Sequence, residues 1–247
     1  MERLLNSAPK LAVILCVAFI VVREARRGYF AALCQQFPAL KRRPFLDGFL
    51  VLLALTVTGL PFDPFLLERV QALSGPFWKA VIETGGFAGR HIHPWVMAVG
   101  FWALAVLMRR APAERLARGI LFSGALASLL TQALKFLLLR ARPFGQEGAW
   151  SFLNISGLLG DSRVYQSFPS GDVVVVAGMI FYLVLFLSRF KAAWILALLP
   201  AATAMSRINA DKHWPTDTLF AIGLGLMTAA LIRGLEVSGT PVRVEKT

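Results

Sequence analysis

The chain has 247 residues and a formal net charge of +12; 57% of its residues are hydrophobic and only 16% are charged. A soluble domain of this length carries about a quarter charged residues, and several runs here approach the roughly 20 apolar residues that cross a bilayer. Composition therefore excludes a soluble globular fold and predicts an all-α, polytopic membrane helix bundle. The basic balance does not imply nucleic acid, because Arg and Lys gather between the apolar runs and no polar domain displays them.

The first apolar segment covers 4–22. Lys10 precedes the run Leu11 to Val22, as in a secretory signal, but "REARRG" follows without a small-residue cleavage pattern, so the segment is expected to be retained. Its uninterrupted core is short for a span, which leaves two alternatives: a crossing with the N-terminus outside, or a helix lying along the interface. Arg23, Arg26, Arg27, Lys41, Arg42 and Arg43 follow, a cluster of the kind that marks a cytoplasmic loop. Cys16 sits in the apolar segment and Cys34 in the basic loop, so neither a disulfide nor a metal site is indicated.

Six further apolar segments are predicted near 46–62, 94–108, 119–139, 172–187, 192–206 and 215–232, the core of the bundle. Alternation from a cytoplasmic 23–45 loop places 63–93, 140–171 and 207–214 outside. It places 109–118, 188–191 and the tail inside. Arg109, Arg110, Arg115, Arg118, Arg189, Lys191, Arg233, Arg243 and Lys246 then all fall inside, as the positive-inside rule requires. Region 63–93 alternates aromatic and charged residues like a segment at headgroup level. The chain thus divides into an N-terminal segment with its basic loop (1–45), a membrane domain (46–232) and a short polar tail (233–247).

Three polar clusters fall on the outer side of this topology. In "KFLLLRARP", Lys135 and Arg142 are two helical turns apart and share a face if the helix persists, although Pro143 disfavours helix at Arg142. Taken alone, a snorkelling Lys and a membrane-edge Arg would explain them. In "SFPSGD", a Pro169-Ser170-Gly171 turn opens a helix whose free N–H groups and dipole suit a phosphate; a plain cap and turn would also fit. In "SRINADKHWPTDT", His213 and Asp217 are one turn apart, so a carboxylate could hold the imidazole while its other nitrogen attacks. The alternative is a capping Asp beside an interfacial His. Ionisable groups at a membrane edge are functional candidates, and three clusters on one side favour a single site.

Together these clusters resemble the tripartite signature of the type 2 phosphatidic acid phosphatase (PAP2) superfamily, namely Lys-x6-Arg-Pro, Pro-Ser-Gly-His and Ser-Arg-x5-His-x3-Asp. Lys135 to Arg142-Pro143, Pro169-Ser170-Gly171 and Ser206-Arg207 to His213 to Asp217 match it with every spacing intact, over roughly 94–232. The resemblance implies a membrane lipid phosphatase in which His213 attacks phosphorus and Asp217 orients it. Lys135, Arg142, Arg207, the Ser170 hydroxyl and the Gly171 amide would hold the phosphoryl oxygens. No metal ion or other cofactor is expected, because the cations neutralise the charge.

Asp172 stands where the family has the His that protonates the leaving oxygen. Three readings follow. Asp172 is the acid, kept protonated by the substrate's like charge; or His91 or His93 takes the role; or the protein binds substrate without turnover. Lipid A phosphatases of the superfamily can carry Asp here, which favours the first. The expected partners are the bilayer and a lipid phosphate: lipid A, undecaprenyl pyrophosphate, phosphatidylglycerol phosphate or phosphatidate, met at the outer leaflet of the inner membrane. Lipid-to-lipid phosphate transfer and non-catalytic lipid binding or transport are the alternatives.

Overall fold

A computed structural model describes residues 2–36, 42–90, 92–153 and 164–238. Among these residues the regular structure is helical throughout, as expected. The helices are α1 (Glu2–Arg26), α2 (Tyr29–Gln36), α3 (Arg42–Gly59), α4 (Asp63–Gln71) and α5 (Pro76–Ala88). They continue with α6 (His93–Leu107), α7 (Ala111–Leu138), α8 (Gly171–Phe186), α9 (Leu198–Asn209) and α10 (Pro215–Ser238). Three stretches have the length and apolar character to cross a membrane: Arg43–Gln71, Ala111–Gly145 and Pro215–Val237; His93–Leu107 and Gly171–Phe186 are shorter apolar helices. Large apolar side chains such as Leu50, Val51, Leu55, Leu129, Phe136 and Leu137 face outward, where only lipid can cover them. The protein is a multi-pass membrane protein.

α8 is the central helix, packed on α7 and α10. Its run Val173–Val176 is β-branched and intrinsically a modest helix former, but every one of these side chains is buried, and packing overrides propensity. Glycines allow the closest approaches. A Cβ on Gly85 of α5 would lie 2.0 Å from the Ala202 carbonyl oxygen of α9, so these helices meet backbone to backbone. This contact carries the end of α5 to the edge of the polar site.

Several boundaries differ from the sequence reading. The second segment does not stop at 62: a 3₁₀ turn (Leu60–Phe62) and α4 continue the stretch to Gln71, each with proline in its opening positions, where the missing N–H costs nothing. Residues 63–90, read from sequence as a segment at headgroup level, hold two helices, α4 and α5. The basic stretch 111–118 is the first two turns of α7, not loop. α10 passes the expected end at 232 and reaches Ser238; 239–247 lie outside the described residues.

At the end of the bundle away from the polar clusters, Glu24 is fully buried between Arg23 (2.7 Å) and Arg118 (3.1 Å). Tyr29 and Tyr182 both donate to Glu236. These contacts fasten α1 and α2 to α7, α8 and α10.

Candidate active site

α7 ends sooner than the sequence suggested. Leu139 takes a left-handed conformation (φ 41°), and its N–H donates back to the Lys135 carbonyl at 3.2 Å. Arg142 is extended (φ −77°, ψ 156°), with its N–H on the Val164 carbonyl at 2.8 Å. Lys135 and Arg142 do not share a helical face. They face one cavity because the chain turns back after α7, with Lys135 buried on the last helical turn.

The second cluster follows a cis Phe168–Pro169 bond and opens α8. Ser170 is the N-cap residue, yet its side chain makes no capping bond, and its buried Oγ has no partner among the described residues. The plain-cap explanation therefore fails, and a buried hydroxyl is left with hydrogen-bonding capacity to spare. Gly171 backs onto Lys135: a Cβ there would lie 3.7 Å from the ammonium nitrogen. Asp172 pairs with Arg207, with 3.0 Å between Oδ2 and Nε. Arg207 comes from the last turn of α9 and is held from α5, donating through Nη2 to the Gly89 carbonyl at 2.8 Å.

His213 is buried in the short link before α10. Its Nδ1 lies 2.8 Å from the Ser167 carbonyl and 3.7 Å from Asp217 Oδ2. Both neighbours only accept, so Nδ1 carries the hydrogen and donates to Ser167, and Nε2 of the neutral ring keeps its lone pair. The orienting partner in direct contact is thus a main-chain carbonyl, with Asp217 behind it. Burial drives the imidazole pKa below its ordinary value; Asp217 opposes this shift, and Lys135 and Arg142 reinforce it.

Asp217 anchors the site. Its carboxylate accepts from Ser167 Oγ (2.5 Å), from the Trp214 N–H that opens α10 (2.9 Å) and from Arg140 Nη1 (2.5 Å). The fully buried Arg140 makes five hydrogen bonds, which also reach Asp63, Thr216 and the Ala149 carbonyl. Asp63, at the start of α4, closes the network by accepting from the Thr216 N–H at 2.8 Å. Sequence reading passed over Asp63, Arg140, Ser167 and Thr216. The available signal was Arg140 inside "KFLLLRARP", an extra cation at a membrane edge that requires a buried acid.

The resulting cavity, about 280 Å³, is lined by Lys135, Arg142, Gly171, Asp172, Arg207 and His213. Arg90 and Lys212, both exposed and neither singled out from sequence, add two cations at its rim. Ser170 lies one residue before the lining, and Asp217 behind His213. Of the alternative acids, His93 does not line this cavity; its Nδ1 lies 2.9 Å from the Phe87 carbonyl, and its ring packs on Phe87. His91 lies outside the described residues.

Fold and site together define a helical membrane protein with a cavity lined by several cations beside a buried imidazole. Residues 116–236, which contain all three clusters, match the family model of the PAP2 superfamily, the family whose signature the motifs resemble. Lipid A 1-phosphatases of Rhizobium etli and Rhizobium johnstonii are each 32% identical over 108 residues, 43% of this chain. That stretch spans 42% and 40% of the length of those relatives. Among solved structures, the first transmembrane PAP2 type phosphatidylglycerolphosphate phosphatase from Bacillus subtilis is similar, with a TM-score of 0.60 and 19% identity. That match covers 81% of this chain and 98% of the other, and at this identity it establishes the fold.

Proposed function

We propose that the protein is an integral-membrane lipid phosphate phosphatase that works through a phosphohistidine on His213. The observation that carries this reading is the convergence of Lys135, Arg142, Arg207 and Gly171 on one cavity with an imidazole whose Nδ1 is committed to a carbonyl. Nε2 attacks phosphorus while the bond to the lipid oxygen breaks. The phosphorylated ring is cationic, and Asp217, 3.7 Å from Nδ1, stabilises that charge. Lys135, Arg142 and Arg207, with Ser170 Oγ and the Gly171 amide, hold the three phosphoryl oxygens. They do the charge neutralisation that a metal ion does in other phosphoryl transfers, so the reading requires none.

Asp172 supplies the proton. In the structure it is paired with Arg207. A phosphoryl dianion entering the cage competes for that guanidinium and leaves the carboxyl beside a like charge, which favours its protonated form. The proton passes to the leaving oxygen. Water then attacks the phosphohistidine, gives a proton back to Asp172 and releases phosphate and neutral His213. His93, turned onto Phe87, is poorly placed for this task.

The six-crossing core is completed by α9 with the 3₁₀ segment Lys191–Ala197 before it. At about 2.0 and 1.5 Å per residue these span ~32 Å, enough for the hydrocarbon layer. Arg110, Arg115 and Arg118 lie at the start of α7 and Lys135 at its end, so the positive-inside rule places the cage outside, at the outer leaflet of the inner membrane. The Rhizobium relatives point to a phosphorylated glycolipid as substrate. The test is phosphate release from lipid A, undecaprenyl pyrophosphate, phosphatidylglycerol phosphate and phosphatidate, with and without an acceptor lipid. Release from none of them, or transfer only to the acceptor, would overturn hydrolysis.

A further inference from the structure

Three concavities adjoin one another along α7 and α8. The cage is the first. The second, about 200 Å³, shares Lys135, Gly171 and Asp172 with it and is otherwise lined by residues including Trp95, Ser128 and Gln132. The third, about 180 Å³, shares Pro94 with the second and is walled by Met97, Phe101, Val176, Met179 and Ile180. Ser128, Gln132 and Lys135 are four and three residues apart on α7, so they stack on one face. Away from His213 the wall therefore changes from cationic to neutral polar to apolar. That is the order of phosphate, hydroxyl-bearing headgroup and hydrocarbon chain in a lipid.

The middle chamber is the informative one. An amide and a hydroxyl within a stretch apolar enough to cross a membrane are costly without partners. Neither Gln132, which is exposed, nor the half-buried Ser128 has a side-chain hydrogen-bond partner among the described residues, and both line the chamber. Asp172 lines the chamber and the cage alike, so it stands where a leaving oxygen would pass between them.

We propose that this chamber is the subsite for the leaving group, and that it selects a headgroup with free hydroxyls, such as a sugar ring or glycerol, through Gln132 and Ser128. The inference rests on the phosphatase reading above. Hydrolysis cleaves the bond from phosphorus to the headgroup oxygen, Asp172 donates its proton to that oxygen, and the free alcohol is left in the chamber with its chains along the apolar groove. Phosphatidate, whose remaining glycerol oxygens are acylated, and undecaprenyl pyrophosphate, whose leaving group is a phosphate, would leave the amide unsatisfied.

The experiment compares kcat/KM of the full chain in mixed micelles on lipid A 1-phosphate, phosphatidylglycerol phosphate, phosphatidate and undecaprenyl pyrophosphate. Wild type should favour the hydroxyl-bearing substrates. Gln132→Leu should cut that preference up to about tenfold, the upper range for one hydrogen bond, and Ser128→Ala should cut it less. The arm that loses more, glycolipid or glycerol phosphate, identifies the headgroup. An equal loss on all four substrates, or no loss, would overturn the chamber assignment while leaving the phosphatase reading intact. A wild type that hydrolyses none of them would remove both.

Discussion

The Arg140→Lys variant tests the frame that holds the site. Arg140 makes five hydrogen bonds and is wholly enclosed between Asp63 and Asp217. An ammonium has three donors and no fork, so at least two of these bonds go unmade. Hydrogen bonds to charged groups are worth about 1.5–3 kcal/mol each, which sets a loss of at least ~3 kcal/mol. For a chain of this size that lowers Tm by about 6–12 °C, read as thermal unfolding in detergent. Turnover should fall as well, because Asp217 then loses a fixed partner while Ser167 Oγ still holds its other oxygen. Arg140→Met should be worse, since it leaves two buried carboxylates without a cation, and breaking a buried pair costs about 3–5 kcal/mol. If Arg140→Lys melts within 2 °C of wild type and turns over normally, the network is not what positions Asp217.

His213→Ala should abolish turnover and leave the folded protein intact; quenched turnover of wild type should show an acid-labile phosphoryl group on this residue, and an active alanine variant would defeat the mechanism. Asp172→Asn should lower kcat by roughly 10² to 10⁴, less for an aryl phosphate with an acidic phenol, whereas Asp172→His should stay active; a harmless Asn would remove Asp172 as the acid. Because burial depresses the His213 pKa, its unfolded state binds more protons below about pH 6.5. Its contribution to stability is therefore complete above that pH and is lost as pH falls toward the folded value. NMR titration of the ring should give a midpoint below 6.5, and one above it would contradict the burial argument. With the exposed Cys16 and Cys34 replaced by Ser, a cysteine at Lys212 should react with an impermeant reagent from outside and one at Arg110 should not; the reverse pattern would invert the topology.

Most of the cavity lining was legible in the sequence because those residues sit in three short motifs at fixed spacing, and the apolar runs between them are long enough to read. What sequence could not supply was the route by which those motifs meet. Lys135 and Arg142 would share a helical face only if the helix persisted, and Pro143 spoke against that; a left-handed Leu139 ends the helix sooner still, and a loop returns Arg142 to the cavity. The supporting residues were harder still to see. Asp63 and Arg140 are 77 positions apart, and Asp63 and Thr216 are 153 apart, so no local period or motif connects them. A buried guanidinium is tolerable only where acids surround it, and which acids do so is decided by how α4, α10 and the end of α7 pack.

The same physics bears on Asp172, which stands where the signature that the motifs resemble has His. At the second-motif position, the first turn of α8 faces Arg207, which Gly89 holds in place whatever residue stands opposite. A neutral His there would leave the guanidinium free for phosphate at all times. Under the proposed mechanism an Asp instead competes with phosphate for it, so that substrate binding and arming of the acid would become one event. The cost is a weaker hold on phosphate until the pair separates. A consequence is that Asp172→Asn should bind inorganic phosphate more tightly than wild type even as turnover collapses, because the competing carboxylate is gone. Equilibrium binding of phosphate to both proteins measures this directly, and weaker binding by the Asn variant would show that Asp172 does not compete for Arg207.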